Sequence, residues 1–97
     1  MDGDEQVRLL ARLDRRDQVT LTVAGRALEG VANSVFLGDS RIRVMVADRT
    51  SDRTYRVETR WADGWLDPRV DVCYPGSTEF QRLGTLEGIE KRDLLAA

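Results

Sequence analysis

The sequence predicts a mainly β protein in which one N-terminal helix precedes a small, bent antiparallel barrel. Three observations carry that expectation. Apolar residues alternate with polar ones over Val19–Val23, Ile42–Val46 and Tyr55–Thr59, so each run presents one apolar face, as a half-buried strand does. The runs are short and separated by turn-forming Gly, Asp and Ser residues. One longer run, Arg26–Phe36, is interrupted at Gly30, where a strand bends or bulges. Short strands joined by tight turns hide their edges most completely by closing on themselves.

The helix is expected over residues 3–16. Asp2 followed by Glu5 has capping-box spacing, and Val7, Leu10 and Leu13 form a narrow apolar stripe with Leu9 beside it. Arg8, Arg12, Arg15 and Arg16 lie mostly off that stripe, and the last two complement the C-terminal dipole. The first strand runs from Gln18 to Val23 and turns at Ala24-Gly25, with Gly25 supplying a positive φ. The second reaches Phe36 and turns at Leu37-Gly38-Asp39-Ser40. Strands at Arg41–Ala47 and Thr54–Arg60 follow and complete a four-stranded barrel core over residues 18–60. Residues 61–83 form a less regular insert that holds Trp61, Trp65, Tyr74 and Phe80, with turns at Asp63-Gly64, Asp67-Pro68 and Pro75-Gly76. Within it Val70, Val72 and Tyr74 alternate over a short strand. A last barrel strand is expected over 84–91, and the remaining residues form a tail.

With 97 residues the chain has room for one core, so 1–97 is read as a single domain. No apolar run reaches the roughly 18 residues that cross a bilayer. The acidic start, Met-Asp-Gly-Asp-Glu, is unlike a basic leader, and a cytoplasmic location is expected. There is no histidine, and Cys73 is the only cysteine. That set excludes His-dependent triads and the usual zinc sites, and no Asp-x-Asp-x-Asp-Gly loop marks a calcium site. No metal or cofactor is therefore expected. Cys73, beside Val72 and Tyr74, reads as a buried small hydrophobe. Asp63, Asp67 and Asp71 recur every four residues, but Pro68 keeps them off a shared helical face, and turn chemistry explains them. The expectation is a protein that is not an enzyme.

The cations are lopsided: Lys91 is the sole lysine among 15 basic residues. That choice, with the acidic balance, fits a halophilic archaeon. In a salty interior the screening length shrinks to about 3 Å, which weakens purely electrostatic binding.

The candidate site is on the sheet. If Ile42, Val44, Val46, Tyr55 and Val57 face the core, then Arg41, Arg43, Arg56 and Arg60 share the outer face with Glu58. Guanidinium groups grip phosphate in bidentate fashion, so this face suits single-stranded RNA or another polyanion. Trp61 and Trp65 follow directly and offer stacking platforms for bases. The competing reading is a solvated face of Arg–Glu pairs, with the tryptophans pinning the insert to the core.

Val-Thr-Leu-Thr-Val-Ala-Gly-Arg-Ala-Leu-Glu-Gly-Val-Ala-Asn-Ser-Val, residues 19–35, resembles the first sequence block of the Sm-like family, with Gly25 and Gly30 at the glycine positions. The resemblance implies a helix capping a strongly bent five-stranded barrel, assembly into rings and, in many members, RNA binding. The sequence departs from the family where an Asp and an Asn follow the bend, reading Ser34-Val35-Phe36-Leu37-Gly38-Asp39-Ser40. It departs again before the last strand, where Glu87-Gly88 stands for Arg-Gly. No RNA-contacting residue is carried over from the family. Two functions are thus in view: a small barrel binding RNA through its arginine face, or a module that oligomerises or recruits proteins by strand-edge pairing.

Overall fold

A computed structural model of the chain describes residues 3–92. Helix α1 (Gly3–Ala11) is followed by strands β1 (Gln18–Val23), β2 (Arg26–Leu37), β3 (Arg41–Asp48), β4 (Arg53–Arg60), β5 (Arg69–Cys73) and β6 (Gln81–Arg92). They form a closed antiparallel barrel in chain order, with β6 returning to pair with β1. The barrel has six staves where five were expected. The extra one is β5, the Val70–Val72 alternation expected as a short strand within an irregular insert; it pairs with β4 through Val57↔Val70 and Tyr55↔Val72. The last strand starts at Gln81 rather than residue 84, because Gln81–Thr85 pair with β5 before the strand crosses to β1. The insert thus shrinks to two turns on either side of a stave.

The helix ends at Ala11, not residue 16. Two turn hydrogen bonds, Arg12 N to Leu9 O and Leu13 N to Leu10 O, tighten the chain so that Leu13 still reaches the core beside Val7 and Leu10. The expected cap at Asp2 lies outside the described residues. The helix packs against β6 and β3 and is neither long nor apolar enough to cross a membrane.

Alternation assigns the interior as expected. Ile42, Val44, Val46, Tyr55 and Val57 are all buried, together with Val19, Leu21, Val23, Val70, Val72, Leu86 and Ile89. The β1–β2 turn has both central φ angles positive, 51° at Ala24 and 73° at Gly25, the type I′ geometry that matches strand twist. Gly25 N also donates to Glu87 Oε1 at 2.7 Å, which ties this turn to β6.

Strand β2 changes partner midway. Arg26–Val31 pair with β1, and Val31–Leu37 pair with β3. Gly30 is at the crossing, but its pairing with Val19 is regular; the register shift falls between Ala32 and Ser34. The bulged residue is therefore Asn33. Gly30 is required for a different reason, close approach: a Cβ there would lie 2.6 Å from the Ala47 carbonyl oxygen and 2.6 Å from Val46 Cγ1. Gly30→Val should accordingly destabilise the protein by more than about 2 kcal/mol in urea denaturation, since backbone and a buried neighbour must both move. A variant with the parental midpoint would show that β2 and β3 do not approach this closely.

Candidate nucleic-acid interface

The register of β3 to β6 sets the outer face. One row of neighbours is Arg43, Glu58, Arg69 and Thr85; the next is Met45, Arg56, Asp71 and Arg82; Arg41 opposes Arg60 at the end. The four arginines expected on this face are on it, and β5 and β6 add Arg69 and Arg82. Neither is foreseen from the sequence: Arg69 is on the unexpected stave β5, and Arg82 is in the part of β6 that precedes the expected start at residue 84. Arg43 and Arg56 are diagonal neighbours, since Arg43 opposes Glu58 and Arg56 opposes Met45.

The carboxylates are the surprise. Glu58 and Asp71 point outward by strand parity, yet they are 7% and 4% exposed. The arginines lie over them. Arg43 Nε is 2.7 Å from Glu58 Oε2, and Arg60 Nη2 is 3.7 Å from Oε1. Asp71 Oδ2 takes Arg56 Nη2 at 3.1 Å and Arg69 Nε at 3.4 Å. Each acid is thus shared by two guanidinium groups, and Arg56 also stacks on the Phe80 ring at 4.3 Å. Burial alone raises the Glu58 pKa, but the hydrogen bond and charge of Arg43, with Arg41 and Arg60 behind it, hold it below its ordinary 4.5. Arg41 and Arg82 make no ion pair with a described carboxylate.

Next to the first row an open groove of about 340 Å³ runs between Arg60, Arg69 and Arg82, walled by Glu58, Thr59, Leu66 and Asp67. The tryptophans are in the turn between two of its lining residues, Arg60 and Leu66, and are not part of the lining. Trp61 N donates to Ser40 O, Leu66 N donates to Arg60 O, and the Thr59 hydroxyl donates to Leu66 O, so the 61–65 turn is stitched to the strand ends. Asp63 and Gly64 both take positive φ in that turn. The two indoles meet edge to face, 5.5 Å between centroids and 78° between planes. They divide the roles anticipated for them: Trp65 packs partly buried against the core, while Trp61 is 53% exposed.

The three spaced aspartates go three ways. Asp63 is in the tryptophan turn, Asp67 is beside Gly3 of the helix, and Asp71 is under the arginines. Cys73 is half-buried rather than buried, and its thiol donates to the Ser77 carbonyl at 3.1 Å. Turn Tyr74–Ser77 brings that carbonyl up to the sulfur, which strand alternation alone does not foresee.

Comparison with protein-family models, with curated proteins and with solved structures finds no match for this chain.

Two consequences follow for stability. Replacing Arg56 with Gln leaves Asp71 buried with only Arg69, and should lower stability by about 1–3 kcal/mol in urea denaturation at pH 7; an unchanged midpoint would mean that Asp71 is well solvated. Because the folded pKa of Glu58 is lowered, its contribution is present above pH 4.5 and is lost as pH falls through the folded value. Glu58→Gln should therefore be less stable than the parent at pH 7, and the difference should close on acidification. A difference independent of pH from 7 to 3 would place the cause in packing instead.

Proposed function

We propose that this chain is a non-enzymatic small-barrel module that binds single-stranded RNA along the outer face of β3–β6. One observation carries the reading. On a chain of net charge −2, six arginines gather on one face, and the two acids among them are sunk beneath and each already shared by two guanidinium groups. The surface left for a ligand is cationic. Phosphate contacts along such a face give affinity without sequence choice, and exposed Trp61 at its end supplies a π-face for an unstacked base. The bent second strand, the N-terminal helix and Gly30 support the same proposal, that the chain is a six-stranded relative of the Sm-like barrels. In a salt-rich cell stacking on Trp61 would take a larger share of the affinity, because screening spares it.

The rival reading, an oligomerisation or protein-recruiting module, depends on strand edges, and barrel closure pairs each strand with two neighbours over part of its length. It therefore applies to short unpaired lengths of strand.

The residues that test the RNA reading are Arg41 and Arg82, not Arg43 and Arg56, which hold the buried acids. Replacing Arg41 and Arg82 together with Gln should leave the melting temperature within a degree or two. Binding of a short labelled oligouridylate should weaken, and the slope of log K against log salt should flatten by roughly 1.4 units, about 0.7 for each lost single-strand phosphate contact. Unchanged affinity and slope, or no binding by the parent at about 50 mM salt, would overturn the proposal.

A further inference from the structure

The place where β2 changes partner exposes backbone that neither neighbour uses. In the type I′ hairpin, Val23 and Arg26 form the first hydrogen-bonded pair, and such pairs recur at every second residue. Arg26, Leu28 and Gly30 therefore direct N–H and C=O towards β1, and Ala27, Glu29 and Val31 direct theirs away from it. Ala32 confirms the parity: on the β1 side its N–H donates to Asp17 O at 2.8 Å and its carbonyl accepts from Arg16 N at 2.6 Å. Val31 opposes Ala47 of β3, where the β2–β3 ladder begins. Beyond it β3 diverges, so Ala27 and Glu29 present two amides and two carbonyls with no backbone partner among the described residues.

Ala27 and Glu29 are exposed, and the cleft they border is open to solvent. They line one wall of this space of about 530 Å³, whose other wall is the β3–β4 turn, with Asp48, Arg49, Thr50 and Arg53, and Arg92 at one end. The cleft is where the β2–β3 ladder would run on beyond Val31↔Ala47. Its charge is also selective. Arg49, Arg53 and Arg92 make no ion pair with a described carboxylate. Two acids also line the cleft. Asp48 is already occupied by the Thr50 amide at 3.0 Å and the Thr50 hydroxyl at 2.7 Å. Glu29 is exposed on the opposite wall, so the three arginines leave the lining in cationic excess.

We infer that this cleft is a docking slot for an extended acidic peptide, which adds as a short strand to Ala27–Glu29 and sets carboxylates against Arg49, Arg53 and Arg92. Backbone pairing supplies the affinity and the three guanidinium groups select the charge. The slot uses the β1–β2 hairpin and the β3–β4 turn, so it is separate from the arginine face and does not rest on the RNA reading.

The probe is a capped alternating Glu-Val peptide titrated into the isotopically labelled protein, with amide shifts followed residue by residue. The Ala27 and Glu29 amide protons should move downfield and gain protection from exchange, while Leu28 and Gly30, already bonded to β1, move little. N-methylation of the central peptide residues should weaken binding about tenfold or more, since each blocked pair removes a main-chain hydrogen bond. Ala27→Pro removes a donor on the cleft side alone and should do the same, with Arg26 already extended as a residue before proline requires. Should that variant fold poorly, Arg49→Gln with Arg92→Gln leaves the backbone untouched and should abolish the preference for the Glu-Val peptide over a Lys-Val one. Unmoved Ala27 and Glu29 amides at millimolar peptide would overturn the inference, as would indifference to N-methylation. Shifts at Ala27 and Glu29 on adding oligouridylate but not peptide would also overturn it and assign the cleft to nucleic acid.

Discussion

Everything else in this barrel depends on the contact between Gly30 and the Ala47 backbone. A twelve-residue strand cannot serve two neighbours that diverge unless it bends, and the bend brings β2 onto β3 with no room for a Cβ. Asn33 then absorbs the extra residue in a bulge, and Arg15 Nε donates to its carbonyl at 3.2 Å, holding the helix-to-strand connection against the kink. Strand β6 repeats the manoeuvre on the far side, pairing first with β5 and then with β1. Two bent strands let six staves surround a core made largely of valines.

The outer face shows a second constraint, electrostatic rather than steric. A carboxylate taken out of water loses hydration, and the loss is offset only by charged hydrogen bonds of good geometry. Here the acids are central and the arginines peripheral, so the network locks β3, β4 and β5 together while keeping positive charge outermost. Structure and binding surface are then the same side chains in different shares: Arg43 and Arg56 belong mostly to the fold, and Arg41 and Arg82 are left for a ligand.

Much of this was legible in the sequence, and the limits have physical causes. Period-two alternation is insensitive to context, so the buried faces of β1, β3 and β4 were read residue by residue. The same signal marked Val70–Val72, but Pro68 and the crowd of turn residues around it hid that a strand of five residues completes the ring. Helix periodicity placed Leu13 on the apolar stripe correctly although the helix stops short of it, because a tight turn keeps the same facing. The arginine face was visible only as far as the strands were. Burial of Glu58 and Asp71 was not visible, since parity puts both outside; only the cross-strand register shows that guanidinium groups roof them over.

Ring closure joins Gln18 to Arg92, nearly the whole length of the described chain. That pairing cannot form until the intervening hairpins have shortened the loop, because the entropy of closing it must be met before its contacts return anything. The chain should therefore fold slowly for its size, with the seam between β1 and β6 sealing late. Until it seals, both bordering strands are open edges on a half-made sheet, and crowded nascent chains meet each other there first. Lys91 sits on that seam, paired with Asp17 at 3.3 Å. A charge on the last edge to close is the kind of gatekeeper that keeps unfinished barrels from joining one another.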